Sequence, residues 1–326
     1  MSNIRSRIMK LCKRNNYREA KRLKDENKDI YLGWLAENVE QNFKLEEALT
    51  EYIGKAENRL VDVGFDLSEN AVIGNKSPGT GLISVACLIH EFNDTNIFEK
   101  IFSTEGSFLR EKALLETASS LSVNVGAPRY LGSYSGKGFY SIYSDCVGIK
   151  QPEDYYDKVV AKFKLAEELW MAPQEKFDSI ASLAFPCKYD RALANTGTVT
   201  DLISVGREVN VSEDYIRKAI ELVENSPRCI FHGDFHDGNV LYDGQRFYLI
   251  DWDKWSVSRV GSGLRLTSSE LLKLGSFNAL LDNFRANGSS PALPAVNFFI
   301  YNAIFWLQKD KSETASYLTL LRILNL

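Results

Sequence analysis

One ten-residue stretch constrains this chain more than any other feature. Residues 231–240 read FHGDFHDGNV and contain two of the three histidines in the 326-residue sequence. A second acidic segment, IDWD at 250–253, follows after a run of alternating apolar residues. That run flanks Asp243-Gly244, a dipeptide that strongly favours a tight β-hairpin. Because a hairpin returns the chain on itself, the two polar segments are predicted to lie side by side.

The residues in these two segments fit the chemistry of phosphoryl transfer. With the chain folded back, Asn239 and Asp251 are expected to lie close together and to face Asp234. One carboxylate and one amide oxygen, without thiols or further histidines, suit a hard cation such as Mg²⁺. A second carboxylate suits a base that receives the proton of an attacking hydroxyl. Reactions of this kind depend mostly on positioning and on neutralising charge.

The same residues resemble the catalytic segment of the aminoglycoside phosphotransferase and choline kinase-like family, relatives of the protein kinases. That segment reads His-Gly-Asp-x-His-x-x-Asn, followed by a hairpin and Ile-Asp-Trp, and HGDFHDGN and IDW match it at every defined position. The resemblance implies that Asp234 is the catalytic base and that Asn239 and Asp251 hold Mg²⁺ against the phosphates of ATP. It also implies that His232 braces the loop and that His236 organises it.

The resemblance further implies a lysine on the third strand of an N-terminal sheet, paired with a glutamate on the following helix. IFEKIF supplies Lys100 for the phosphates, and SFLREKALL supplies Glu111 to hold it. Glu99 and Glu116 compete for these assignments, because an error of register would exchange them. Lys100 also fits an ordinary strand lysine whose ammonium reaches solvent.

Two further nucleotide contacts are predicted with less support from motifs. GNKSPGTG, with Gly79 and Gly81, has the small residues of a phosphate-covering turn, although it is neither a G-x-G-x-x-G nor a Walker motif. It equally suits an ordinary loop. SDCVG is the candidate connector between lobes, where the backbone groups of Asp145 and Cys146 would contact adenine.

The fold class that follows is α+β, a bilobal protein-kinase-like fold with a small antiparallel-sheet N-lobe, a larger mostly helical C-lobe and an N-terminal helical extension. The pattern along the first lobe is strand, strand, strand, helix, strand, strand. The predicted domains are a helical extension over 1–60, a nucleotide-binding N-lobe over 61–148, and a C-lobe over 149–326 that carries the catalytic loop and the acceptor site.

Composition excludes several other classes of protein. The chain has five widely spaced cysteines without a CxxC pair, as expected for reduced thiols in a cytoplasmic protein. A net charge of −4 argues against a nucleic-acid-binding protein. The start of the chain lacks the apolar stretch of a secretory signal.

The first 24 residues carry nine Lys and Arg against one acidic residue, Glu19. On a helix, one apolar stripe is predicted beside these charges: Ile4, Ile8, Leu11 and Cys12. Such a helix either packs on the fold or makes peripheral contact with the inner face of a membrane.

The predicted function is ATP-dependent transfer of phosphate to a hydroxyl of a sugar, amino alcohol, aminoglycoside or glycan acceptor. A protein kinase is the first alternative, although no Ala-Pro-Glu segment follows and Trp252 and Asp253 replace the usual Phe and Gly. A catalytically inactive scaffold is the second, although the lysine, glutamate, base and metal ligands are all retained. The acceptor's identity and the choice between ATP and GTP stay open.

Overall fold

The computed structural model divides into two compact units. The first comprises Met1–Thr104 and Ser133–Ser141, and the second comprises Glu105–Gly132 and Ile142–Leu326. The three-domain division predicted from the sequence stays a prediction. The residues that the structure describes are 2–13, 17–28, 32, 34–67, 72–76, 84–92, 95–121, 124–147, 155–172, 174–273 and 292–324.

Helices open the first unit. They are α1 (Ser2–Lys13), α2 (Tyr17–Glu26), α3 (Trp34–Ile53) and α4 (Ala56–Val63). Ile8 is completely buried in an apolar cluster built from the first three helices. Other residues of the predicted stripe pack against the same cluster: Ile4, Leu11 and Cys12. The stripe is therefore an internal packing surface, and membrane contact through residues 1–24 stays a prediction supported only by exposed basic side chains.

A five-stranded sheet is formed by strands that follow these helices along the chain. Its strands are β1 (Val72–Lys76), β2 (Ser84–Glu91), β3 (Asn96–Phe102), β4 (Tyr130–Gly136) and β5 (Phe139–Asp145). Their order in the sheet is β1-β2-β3-β5-β4, and β2 pairs antiparallel with both β1 and β3. One helix, α5 (Glu105–Ser120), separates the third and fourth strands along the chain. The predicted order of strands and helix is confirmed, and so is the α+β class.

A buried ion pair joins helix α4 to strand β3. Glu99 is fully buried and accepts hydrogen bonds from Arg59 (2.8 Å) and His90 (2.9 Å). Burial raises the pKa of Glu99, but the His90 hydrogen bond and the Arg59 charge outweigh it, and the pKa lies below its ordinary value. Neighbouring strand residues point to opposite faces. Glu99 thus pairs with Arg59 of helix α4 on one face of the sheet, while Lys100 points to the other face.

Replacing Arg59 with Met should lower the free energy of unfolding by about 3–5 kcal/mol, because it leaves the Glu99 carboxylate buried without its cation. Urea denaturation measures this change. The matched control is Lys55→Met, which breaks the exposed pair between Lys55 and Glu51 and should change stability far less, because solvent screens exposed pairs. Equal losses for the two variants would show that burial of the pair is unimportant.

The second unit is mostly helical. After α5 its helices are α6 (Tyr155–Met171), α7 (Lys188–Leu193), α8 (Thr196–Glu208), α9 (Glu213–Glu224), α10 (Ser268–Lys273), α11 (Ala292–Trp306) and α12 (Lys311–Leu321). Helix α11 supplies much of the core, since Phe298, Phe299 and Ile300 are fully buried. Within the described ranges, no helix combines the length and apolarity needed to cross a bilayer.

Two short antiparallel pairs interrupt these helices and position the catalytic segment. Their strands are β6 (Arg228–Phe231), β7 (Val240–Tyr242), β8 (Phe247–Leu249) and β9 (Ser256–Arg259). Strand β6 pairs with β9, and β7 pairs with β8 as the predicted hairpin. Asp243 N–H donates to the Arg246 carbonyl, so the two central residues are Gly244 and Gln245, one position later than predicted. Gly244 supplies the positive φ (102°) that this turn requires.

Candidate active site

The catalytic loop begins where β6 ends, and its first turn admits only glycine. Gly233 has a φ of 81°, and a Cβ at this position would lie 2.1 Å from the carbonyl oxygen of Lys254. No side chain fits at that distance. The backbone before Asp234 is therefore held directly against the segment that follows Asp251.

His232 connects the loop to the end of the hairpin. Its Nε2 donates to the carbonyl oxygen of Ile250 (2.9 Å), and its Nδ1 accepts from the backbone N–H of Asp234 (3.3 Å). The ring packs edge-on against Trp252, with 4.4 Å between centroids. With only 1% of its surface exposed, His232 has the contacts of a structural brace, the role that the family resemblance implies.

His236 and Asn239 shape the second half of the loop. The Nδ1 of His236 accepts from the Gly238 N–H (3.0 Å) at the start of a short 3₁₀ turn, Asp237–Asn239. The Asn239 side-chain amide donates to the Asp234 carbonyl (2.9 Å). Its nitrogen is thereby used within the loop, and its oxygen is the atom available to a cation. The carboxylate that His236 approaches is Asp234, at 3.9 Å.

Carboxylates gather around Asp251 in the second unit. Oxygen atoms of Glu111, Asp251 and Asp253 all lie within 4.8 Å of one another. Glu111 and Asp253 are 4% and 2% exposed, so their charges are largely removed from water. Arg110 fixes helix α5 to this segment by donating from Nε to the Asp253 carbonyl (3.0 Å). The glutamate predicted to hold Lys100 is therefore placed among the acidic residues of the hairpin end.

This donor set fits a magnesium ion. Buried carboxylates at such short separations repel one another unless a cation or protons lie among them. Oxygen donors without sulfur or imidazole are the ligands that Mg²⁺ takes. Asn239, one of the two predicted ligands, adjoins the group because its carbonyl accepts from the Ile250 N–H (3.0 Å). Asp253 joins Asp251 as a candidate ligand.

Asp234 is flanked by cations. Its Oδ2 accepts from Lys254 Nζ at 2.7 Å, and its Oδ1 lies 3.8 Å from Arg265 Nη1. Partial burial raises the pKa of Asp234. The hydrogen bond and the charge of Lys254, with smaller effects of His236 and Arg265, lower this pKa by more than burial raises it. The net pKa is below its ordinary value. The carboxylate is therefore ionised at neutral pH, as a base must be.

Replacing Lys254 with Met should move the acidic limb of the pH profile of kcat/KM to higher pH. The substitution removes the hydrogen bond and charge that lower the Asp234 pKa, while the burial that raises it remains. Activity carried by an ionised base is lost as pH falls through its pKa, so a higher pKa means earlier loss. Rates measured from about pH 3 to pH 7 cover the limb, since an unperturbed Asp titrates at about pH 3.9. The exposed control Lys218→Met should leave the acidic limb at the same pH. The same result for Lys254→Met would contradict the effect of Lys254 on the Asp234 pKa.

A cavity of about 680 Å³ opens beside Asp234 in the second unit. Its volume lies in the range of small-ligand sites. Aromatic side chains supply much of its wall: Phe185, Tyr189, Phe231, Tyr301 and Phe305. The charged side chains along it are Lys188, Asp201, Asp234, Lys254, Arg265 and Lys309. The cavity thus places a bound small molecule within reach of the carboxylate.

The predicted nucleotide contacts are only partly described. Lys100 is 7% exposed on β3, with its Nζ 5.0 Å from the Phe102 ring centroid. It belongs to the first unit and Glu111 to the second, and their pairing stays a prediction. Gly79 and Gly81 lie outside the described residues, as does the connector beyond residue 147.

In the predicted connector, the backbone N–H of Asp145 already has a hydrogen-bond partner within the protein. The N–H of Asp145 donates to the Arg129 carbonyl (3.1 Å), and the two side chains form an exposed ion pair (3.1 Å). An adenine contact through that N–H is thereby excluded. The contacts through the Asp145 carbonyl and through Cys146 stay predictions.

Sequence reasoning places Lys254 at the site entrance without pairing it with Asp234, and it does not identify Arg265. The pairing of Lys254 with Asp234 could have been predicted, because Lys254 stands three residues after Asp251, in a segment already predicted to lie beside the loop. No sequence pattern indicates that Arg265 reaches the site. It reaches the site through contacts distant in sequence, with Tyr301 (3.3 Å) and the Phe305 ring (4.7 Å).

The chain is similar to known phosphotransferases. Residues 100–260 match the model of the phosphotransferase enzyme family. No curated protein matches the chain. Similar solved structures include aminoglycoside phosphotransferase APH(4)-Ia, at 10% identity and a TM-score of 0.42 over 83% of this chain and 98% of that one. Another is macrolide 2'-phosphotransferase MphH from Brachybacterium faecium, at 13% identity and 0.46 over 80% and 96%.

The matched family segment and the motif within it define the class, a kinase-type phosphotransferase. Because the TM-scores are below 0.5, this assignment rests on the family match and the motif. Residues 100–260 are therefore similar to the phosphotransferase enzyme family.

Proposed function

We propose that the protein transfers the γ-phosphate of ATP to a hydroxyl of a small molecule, with Asp234 as the catalytic base. Sugars, amino alcohols, aminoglycosides and glycans are the acceptor classes that the motif allows. One observation carries the proposal. The ionised Asp234 carboxylate lines a cavity of about 680 Å³, and the loop that holds it also holds Asn239 next to the acidic cluster.

The base acts on the acceptor hydroxyl. Asp234 accepts the hydroxyl proton as the oxygen attacks the γ-phosphorus, and the bond from that phosphorus to the bridging oxygen of ADP breaks. ADP leaves, and the proton passes to solvent. Lys254 keeps the carboxylate ionised before the reaction and stands beside the transferred phosphate's negative charge. Catalysis of this type depends on placing these groups in line.

The acidic cluster is the proposed magnesium site. Asn239 and Asp251, with Asp253, would hold Mg²⁺, which supplies charge neutralisation at the nucleotide phosphates. Glu111 lies within the same group, and Lys100 would contact the α/β-phosphates from the first unit. His232 and His236 act through the loop and need not touch substrate.

The proposal is tested by following phosphate from labelled ATP into a panel of sugars, amino alcohols, aminoglycosides and lipid-linked glycans. Transfer should require Mg²⁺ or Mn²⁺ and should stop when EDTA is added. Full turnover in chelator would exclude this mechanism. Labelling of protein substrates alone would favour a protein kinase, and failure to bind or consume ATP would favour an inactive scaffold.

A further inference from the structure

The cavity beside Asp234 carries an excess of positive charge. Among the described residues that line it, the cationic side chains are Lys188, Lys254, Arg265 and Lys309, and the acidic ones are Asp201 and Asp234. The chain as a whole has a net charge of −4, so this local excess runs against the average. A cationic acceptor such as a polyamine sugar would enter an unfavourable field.

Two of these cations lie against one aromatic ring. Arg265 is 26% exposed, and its guanidinium lies 4.7 Å from the Phe305 ring centroid while its Nε donates to Tyr301 (3.3 Å). Lys309 is exposed, and its Nζ lies 3.8 Å from the same ring centroid. A cation over an aromatic face is attracted by the ring quadrupole. The Phe305 ring therefore favours positions of both cations at this end of the cavity wall.

The Asp234 carboxylate offsets only part of this positive charge. It accepts a hydrogen bond from Lys254 (2.7 Å) and forms a longer ion pair with Arg265 Nη1 (3.8 Å). One negative charge between two cations leaves a net positive charge, and Lys309 adds to it at the end of the cavity around Phe305. A bound anion at that end would gain charge-assisted hydrogen bonds, and a guanidinium binds carboxylate and phosphate groups well.

We propose that the acceptor is an anionic alcohol, a hydroxyl compound that carries a carboxylate or phosphate group held by Arg265 and Lys309. The inference rests on the proposed function, because it assumes that the acceptor occupies this cavity. The hydroxyl to be phosphorylated lies toward Asp234, and the anionic group lies toward Phe305. Carboxylate and phosphate share this chemistry, and the experiment separates them.

Cys187 provides a test that does not require turnover. Its thiol lines the cavity and is partly exposed, so a bound ligand should slow its alkylation by iodoacetamide, which mass spectrometry can follow. Four ligands on one sugar skeleton serve as probes: glucose, glucosamine, glucuronate and glucose 6-phosphate. Cys12, partly exposed in the first unit, is the internal reference.

Glucuronate or glucose 6-phosphate should slow the alkylation of Cys187 at least about threefold, while glucose and glucosamine have little effect. The protection should weaken with salt and fall in Arg265→Gln and in Lys309→Gln. The exposed control Lys218→Gln should retain it. The Lys309 variant keeps the test decisive if the Arg265 variant folds poorly. Equal protection by all four sugars, strongest protection by glucosamine, or no protection by either acid would overturn the proposal.

Failure of the proposed function would look different. Phosphate transfer from ATP is measured separately on the same preparations. Protection by acidic sugars without any ATP-dependent transfer would leave the anion preference intact and remove the kinase mechanism. Transfer to neutral or cationic sugars, with KM unchanged in the Arg265 and Lys309 variants, would keep the mechanism and remove the anionic acceptor.

Discussion

Replacing Asp234 with Asn is expected to lower kcat by about 10²- to 10⁴-fold, the usual contribution of a general base. Asn keeps the shape of the side chain and removes the group that takes the proton. ATP affinity should be nearly unchanged, because Asp234 lies on the cavity side of the loop and the proposed metal ligands are retained. Single-turnover transfer and equilibrium nucleotide binding measure the two effects separately.

The control for this substitution is Asp214→Asn, an isosteric change at an exposed residue in the first turn of α9. It should leave kcat within about twofold, because a lost interaction with a helix end affects stability by a fraction of a kcal/mol. Loss of ATP binding in Asp234→Asn would show that Asp234 serves the nucleotide. A kcat near that of the parent protein would remove it as the base.

Replacing Asp251 with Ala is expected to weaken nucleotide binding, which the Asp234→Asn substitution should leave nearly unchanged. Affinity for ATP in the presence of Mg²⁺ should fall by at least about 10–100-fold, the loss typical even for residues that only support a metal ligand. Titration of the nucleotide at several Mg²⁺ concentrations measures this loss, and excess Mg²⁺ should restore part of the binding.

Asp253→Asn tests whether Asp253 is a further metal ligand beside Asn239 and Asp251. Because Asp253 lies within the same acidic group, its replacement should also weaken the Mg²⁺ dependence of ATP binding. Unchanged binding in Asp253→Asn together with a loss in Asp251→Ala would restrict the site to the originally predicted ligands. Unchanged binding in both variants would contradict a magnesium site here.

The catalytic loop could be predicted from the sequence because its structure depends on neighbouring residues. His232, Asn239 and the hairpin interact over fewer than 20 positions, and glycine and aspartate have specific conformational roles in turns. The turn was predicted one residue early, since Asp243 accepts backbone hydrogen bonds instead of occupying a central position. The residue types therefore predicted the hairpin, but they did not predict that Asp243 would flank the turn and that Gly244 would be its first central residue.

The composition of the cavity could not be predicted in the same way. Lys188, Arg265 and Lys309 are separated by dozens of residues and meet only because helices and loops of the second unit converge. No periodicity in the sequence encodes that meeting. Glu111 was predicted for its helix, but its position among the hairpin carboxylates depends on Arg110 and Trp255, which tie α5 to the segment after Asp251.

The close contact at Gly233 has a consequence for how such a site can change. The position of Asp234, the proposed base, is set within its own loop, by the Gly233 backbone against the Lys254 carbonyl and by the side chains of His232 and Asn239 on the Asp234 main chain. The residues that distinguish one acceptor from another are side chains on separate helices and loops. In the proposed mechanism, the position of the proton-accepting carboxylate is thus independent of which acceptor molecule the cavity binds. Substitutions at positions such as Lys188 or Lys309 can alter the choice of acceptor while the proton-accepting atom stays where it is.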